Sequence, residues 1–249
     1  MVKEELIQRS PVRIIMNSIQ GGLKRGELGV VASPSGLGKT SVLVQFALYR
    51  LLQGQKVIHI SFTQHTDYVL TWYENIFDEF TKKKNLENGQ GVKDDIFKNR
   101  VLMKFSQGGM TGEQILRSLK ALIKDGGFAA DCIIVDGYIF SASDKEWIAS
   151  VGNFAAEMGI SVWFSCTVMA VDAKGGEGKG ADARDAEALY DKRNIPVVIK
   201  DYADLFAVII SLKANPDSIT LTISKDRDNY SPAYQALKLD PKTLLILEE

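Results

Sequence analysis

Apolar residues along this chain fall into short runs separated by longer segments in which apolar positions recur at helical spacing. The runs LGVVAS (28–33), KVIHISF (56–62), RVLMKFS (100–106), CIIVDGYIF (132–140) and ISVWFSCTV (160–168) have the length and side-chain content of strands covered on both faces. Between them, segments 40–54, 66–84, 112–127 and 145–159 read as helices. In the second of these, Val69, Trp72, Tyr73, Ile76, Phe77 and Phe80 share one face, which predicts a helix turned to the core rather than a groove for a partner. Strands alternating with helices predict an α/β fold with a mainly parallel central sheet.

Past residue 200 the rhythm changes. DLFAVIISL (204–212), SITLTISKD (218–226), AYQALKL (233–239) and TLLILEE (243–249) are strand candidates separated by turn signals such as NPDS and DNYSP. They stand too close together for intervening helices, so they predict antiparallel C-terminal strands extending the same sheet, with residues 1–249 forming a single domain. The polar stretch 84–95 predicts an exposed loop. AKGGEGKGADARD (173–185), rich in glycine and balanced in charge, predicts a mobile one.

Composition then narrows the classes. With 45% hydrophobic and 24% charged residues the chain is a globular protein and not a disordered one. A formal net charge of -1 gives no overall basic excess for holding nucleic acid. The N-terminus has no apolar signal core and no apolar run approaches the roughly 18 to 20 residues that span a bilayer, so the expectation is a cytoplasmic protein with no membrane partner. Cys132 and Cys166 lie inside apolar runs without histidines at ligand spacing, which predicts buried reduced thiols.

The candidate chemistry starts at VVASPSGLGKTSVL (30–43), a strand, a turn containing Gly36 and Gly38, and a helix opening at Lys39 or Thr40. That order gathers backbone N–H groups and the positive end of a helix dipole around one point, where a phosphate is stabilised. Ser35, Gly36, Leu37, Gly38, Lys39, Thr40 and Ser41 form the candidate cradle, with Lys39 reaching outer phosphates and the Thr40 hydroxyl serving Mg²⁺. Ser33 stands where the full phosphate-loop pattern has its first glycine, a position that mainly begins the turn. Asp136, at the end of another apolar run, supplies the second carboxylate-bearing part of a Mg-nucleotide site.

With these residues the chain resembles the RecA-fold ATPases, most closely the branch that contains the DnaB-like replicative helicases and the KaiC-like ATPases. The resemblance runs from about residue 12 to 240, through MNSIQGGLKRGELGVVASPSGLGKT, the strand bearing Asp136, DYADLFAVIISL and TISKDRDN. It implies a RecA-like three-layer sandwich, ATP and Mg²⁺ as cofactors, and a ring or filament with nucleotide at subunit interfaces. It also implies that Lys225 and Arg227, the K-x-R pair of SKDRDN, reach a neighbouring subunit's γ-phosphate; without the resemblance that stretch is a charged hairpin end.

One departure shapes the expected activity. Relatives carry a glutamate after the second strand that activates the attacking water, whereas this chain has SFTQH, with Thr63 and Gln64 at the matching places. A glutamine orients water without taking its proton, and His65 and Asp67 stand nearby as other candidates. The expectation is ATP binding with slow hydrolysis, in an ATP-dependent regulatory or assembly protein. The alternative is a DNA-associated, helicase-like motor subunit binding single-stranded DNA through the loop at 168–185. That loop balances Lys174, Lys179 and Arg184 against Glu177, Asp182 and Asp185 and has no aromatic residue for base stacking. A small-molecule kinase is a third possibility, for which no acceptor-binding lid is evident.

Overall fold

A computed structural model describes residues 2–83, 89–141, 143–168, 189–230 and 236–247; the glycine-rich stretch 173–185 lies outside them. Five strands form the parallel centre: β1 (Leu28–Ser33), β2 (Val57–Ser61), β3 (Arg100–Lys104), β4 (Cys132–Asp136) and β5 (Ser161–Thr167). Five more follow in the C-terminal part: β6 (Val208–Ala214), β7 (Ile219–Asp226), β8 (Asn229–Tyr230), β9 (Leu237–Leu239) and β10 (Ile246–Leu247). They join one sheet in the order β10-β9-β7-β6-β1-β5-β4-β2-β3, with β8 beside β7. The β1–β5, β1–β6, β2–β3, β2–β4 and β4–β5 pairs are parallel, and every pair made by β7, β9 and β10 is antiparallel.

Strand alternation divides the core between two faces. On one, Val31, Val57, Ile134 and Trp163 pack under α1 (Val2–Gln8), α2 (Val12–Ser18), α3 (Lys39–Leu52), α4 (Thr66–Lys83) and α5 (Gly89–Phe97). On the other, Val30, Ile58, Ile133 and Phe164 pack under α6 (Gly112–Lys120), α7 (Lys145–Met158) and a 3₁₀ segment, Val197–Leu205. The fold is therefore α/β with a mostly parallel central sheet and antiparallel additions. Helix α3 is apolar almost all round and buried along its length, as suits the element that runs beneath the sheet from β1 to β2. In α4, Val69, Tyr73, Ile76 and Phe77 are buried, and Trp72 and Phe80 pack against the same core.

The structure corrects several boundaries. The stretch 84–95 is not all loop, because Gly89–Phe97 is helical and packs Val92, Ile96 and Phe97 on the α3–α4 face. Two short N-terminal helices, without a long periodic pattern, bury Leu6, Val12, Ile15 and Met16. The expected strand at 204–212 begins only at Val208, since 197–205 is 3₁₀. Both cysteines are free and buried, and burial raises their thiols, that of Cys166 to about 12. No helix among the described residues is long and apolar enough to cross a membrane.

Candidate functional site

Strand β1 is buried throughout and ends at Ser33, after which the chain turns through 34–38 into α3. The turn needs its two glycines, because Gly36 and Gly38 hold φ of +81° and +88°. Gly38 is also the N-cap of α3, and no side chain caps that end. The first amides of the helix are thus left to any anion that arrives. Ser35 and Gly36 are exposed at the tip, and Leu37 packs its side chain on the α3–α4 core.

Lys39 folds back over this turn. Its Nζ donates to the carbonyl oxygens of Ser33 (3.1 Å) and Pro34 (3.0 Å) and to Ser33 Oγ (3.3 Å). Burial lowers its pKa to about 8, opposed at longer range by Cys166 and Asp136. Next in the helix, Thr40 Oγ1 donates to Asp136 Oδ2 at 2.8 Å, joining residues 96 apart in sequence. Ser41 turns the other way: its buried hydroxyl donates to Leu244 O at 2.8 Å, away from the 34–38 turn.

Asp136 is 3% exposed at the carboxyl end of β4, beside Ser61 of β2. The turn after it is tightly specified. Gly137 has φ +76°, its N–H donates to Ser165 Oγ at 2.8 Å, and a Cβ there would lie 2.4 Å from Thr63 Oγ1. Thr63 is thereby held against the turn that follows the carboxylate. Gln64 donates its backbone N–H to Ser61 Oγ (2.9 Å), and its Oε1 is buried with no partner among the described residues. His65 Nδ1 lies 3.1 Å from Asp67 Oδ2 on the exposed surface, which leaves the pair occupied with one another.

A hydroxyl and a carboxylate 2.8 Å apart are hard oxygen ligands suited to Mg²⁺, and they leave most of its shell to phosphate oxygens and water. No group of three or more His, Cys, Asp or Glu suited to a metal occurs among the described residues. The pair thus fits a metal that arrives with its nucleotide, not a metal caged by protein alone.

Lys225 and Arg227 are placed elsewhere. Because β7 runs antiparallel to β6, Asp226 pairs with Val208, which is the partner of Gly29 at the amino end of β1. Lys225 is buried, with Nζ bonded to Phe206 O, and burial lowers its pKa. Arg227, at φ +52°, binds both carboxylate oxygens of Glu27 (3.1 and 3.0 Å), Asp226 Oδ1 (2.5 Å) and the carbonyls of Ile19 (3.3 Å) and Gly22 (3.1 Å). Both side chains are committed within their own chain, away from its 34–38 turn.

Lys39, Thr40, Gln64 and Asp136, expected from the sequence, lie at one end of the sheet, where Ser61, Ser165 and the contact of Ser33 with Lys39 join them unforeseen. The only sequence signal for these serines is a polar residue within an apolar strand, as in VIHIS and WFSCT. Neither protein-family models nor curated proteins provide a match to this chain.

Proposed function

We propose that this chain is a RecA-like P-loop protein, a three-layer sandwich that binds Mg-ATP on residues 35–41 and turns it over slowly. The observation that carries this reading is the direct contact of Thr40 with Asp136 beside the retracted Lys39, three parts of a Mg-nucleotide site from two distant segments. Bound metal would offset phosphate charge between Thr40 and Asp136. Lys39 would exchange three neutral oxygens for phosphate, and the uncapped first turn of α3 would donate its N–H groups.

Slow turnover follows from Thr63 and Gln64. Thr63 stands against Gly137, next to Asp136, and brings a hydroxyl where a base is wanted; Gln64 adds an amide that orients water but accepts no proton. The working output is then the bound state itself, which sets assembly or partner choice in a cytoplasmic ring or filament. For Arg227 to serve a neighbour's nucleotide there, it exchanges Glu27 for a phosphate.

Calorimetry with Mg-ATP tests the reading. A saturable heat at millimolar ligand is expected, and Lys39→Ala should weaken binding about tenfold to a hundredfold, the worth of charge-assisted hydrogen bonds. No heat in the parent, with Lys39→Ala indistinguishable from it, ends the proposal. Thr63→Glu should raise turnover by about 10²–10⁴-fold, the usual worth of a general base. An unchanged rate would show that something other than the missing carboxylate limits hydrolysis.

A further inference from the structure

The 34–38 turn, on which Mg-ATP is proposed to sit, is backed by the far end of the chain. The space that a Cβ on Gly38 would fill is walled by methyl groups of Leu239 and Leu244, at 3.4 and 3.5 Å. Both leucines belong to the β9–β10 hairpin at the edge of the sheet. The last strands of the sheet thus lean on the turn that follows its first.

One side chain fastens this contact. Gln45, 7% exposed on α3, donates Nε2 to Leu244 O at 3.0 Å and accepts the Ile246 N–H on Oε1 at 2.9 Å. Ser41, one helical turn earlier, donates its hydroxyl to the same carbonyl at 2.8 Å. The glutamine amide therefore spends a donor and an acceptor on residues 199 and 201 positions away.

The hairpin has little regular structure of its own. Strand β10 has two residues, Ile246 and Leu247, which pair with Leu239 and Lys238 of β9. Leu244 carries φ of +56°, a left-handed backbone that a bulky side chain resists. Lys242 is exposed, and Thr243 and Leu244 are half-buried. Short, strained and partly solvated segments open locally, before the fold as a whole. Without Gln45 the closed form loses two bonds while the strain at Leu244 stays.

Closure of the hairpin bears on a ligand of the turn. Phosphates need the amides after Gly38 in one arrangement, and Gly38 is an N-cap at φ +88° that no side chain caps. Packing by Leu239 and Leu244 limits where this glycine can go. By linkage, a ligand that binds better to the closed hairpin also holds the hairpin closed.

On the basis of the nucleotide reading, we infer that Gln45 is a positioning residue. It keeps the β9–β10 hairpin closed on Gly38, so that hairpin closure and Mg-ATP on the 34–38 turn favour one another.

Calorimetry and amide exchange on the full chain form the test. Mg-ATP that gives heat in the parent should also slow exchange at the Leu244 and Ile246 amides about fivefold or more, in urea too dilute to change those rates. Gln45→Met, which keeps the bulk and loses both bonds, should weaken Mg-ATP about fivefold or more per folded molecule. Asp240→Ala should act alike from within the hairpin, where Asp240 Oδ1 accepts the N–H groups of Lys242 (2.9 Å) and Thr243 (3.4 Å). A clasp that is only structural would lower stability and leave affinity and ligand-dependent exchange alone. Heat with unchanged exchange, or full affinity in folded Gln45→Met, overturns the inference and leaves the nucleotide reading standing; should that variant not fold, full affinity in Asp240→Ala does so. Exchange that follows urea at every concentration also overturns it, since the hairpin then has no open state of its own. No heat in the parent ends both.

Discussion

The two ends of β1 each hold a cation, and they treat it in opposite ways. At the carboxyl end the three hydrogen-bond acceptors of Lys39 are all neutral oxygens, while the nearby Asp136 carboxylate is bonded to Thr40. At the amino end, roughly 17 Å away at about 3.3 Å per residue, Arg227 is matched by the carboxylates of Glu27 and Asp226. A half-buried cation among carbonyls keeps an unfavourable charge that an incoming anion can relieve. A neutralised one fastens the fold, here by clasping the 19–22 turn to the end of β7. The contrast separates a candidate anion site from a staple where sequence shows only two basic residues.

The largest effect should come from breaking the staple. Arg227→Ala leaves Glu27 without its guanidinium partner in a place where both side chains are about one-fifth exposed, 19% and 22%. Removing one member of a buried pair costs about 3–5 kcal/mol, and the partial exposure here brings the expectation to about 2–4 kcal/mol in urea unfolding. Nucleotide affinity of the folded, unassembled chain should not change, because Arg227 binds Glu27 at the opposite end of β1 from the 34–38 turn. Lys39→Met should act in the opposite sense, losing nucleotide while gaining stability. A pKa lowered from 10.5 to about 8 means that below pH 8 the folded chain carries a charge that burial disfavours. The ceiling on that cost is roughly 3 kcal/mol at 1.36 kcal/mol per pKa unit, and partial solvent access reduces it to about 1–2 kcal/mol. Loss of stability in Lys39→Met, or none in Arg227→Ala, would erase the distinction between the two ends.

The next effect is on pH. For Lys39 the stability cost is full below pH 8 and fades as pH rises toward 10.5, because the unfolded chain holds the proton longer and stability climbs with pH in that window. Nucleotide binding should have the opposite slope. Phosphate favours the protonated ammonium, so above pH 8 each complex should take up as much as one proton, and affinity should fall by up to tenfold per pH unit. Calorimetry at pH 8.5 to 9.5 in buffers of different ionisation enthalpy measures that uptake directly. Arg227→Ala should show the same uptake, and Lys39→Arg should show none, since a guanidinium stays charged throughout. Equal uptake in Lys39→Arg would place the titrating group elsewhere.

What the sequence made legible follows the same line between local and distant causes. Strands β1, β2, β4 and β5 are buried on both faces, so their apolar runs stand out, and Lys39 with Thr40 belongs to a motif read within a few residues. Helices α1 and α2 have seven residues each, too short to show periodicity, and are held by packing Leu6 and Ile15 into the core. In the polar stretch before Phe97 only Val92 and Ile96 signal α5, at a spacing of four. The partners of Arg227 and Ser41 could not be read at all, because Glu27 lies 200 residues from the first and Leu244 203 from the second. Such pairs exist only once β6 and β7, or the turn before β10, have closed the sheet.

The smallest effect belongs to Ser33, the residue that departs from the phosphate-loop pattern. A glycine is required where φ is positive, and in this loop that holds for Gly36 and Gly38 and not for position 33. Ser33 is instead the last residue of β1, fully buried, donating its hydroxyl to Pro34 O at 2.8 Å and accepting from Lys39 at 3.3 Å. The second bond is long for an N–H···O contact and contributes little. Ser33→Gly should therefore change Mg-ATP affinity by less than about threefold, a fraction of one ordinary hydrogen bond. It should lower stability by about 0.5–1 kcal/mol through the freedom a strand glycine restores to the unfolded chain. Gly36→Ala reverses the balance, since nothing lies within 4 Å of the added methyl but the backbone sits at φ +81°. Forcing a β-carbon there costs roughly 1–2 kcal/mol and disturbs the turn that presents the amides. If Ser33→Gly instead tightened nucleotide binding more than about tenfold, the serine would be a brake that holds Lys39 retracted, and the carboxyl end of β1 would be a site under restraint rather than one left open.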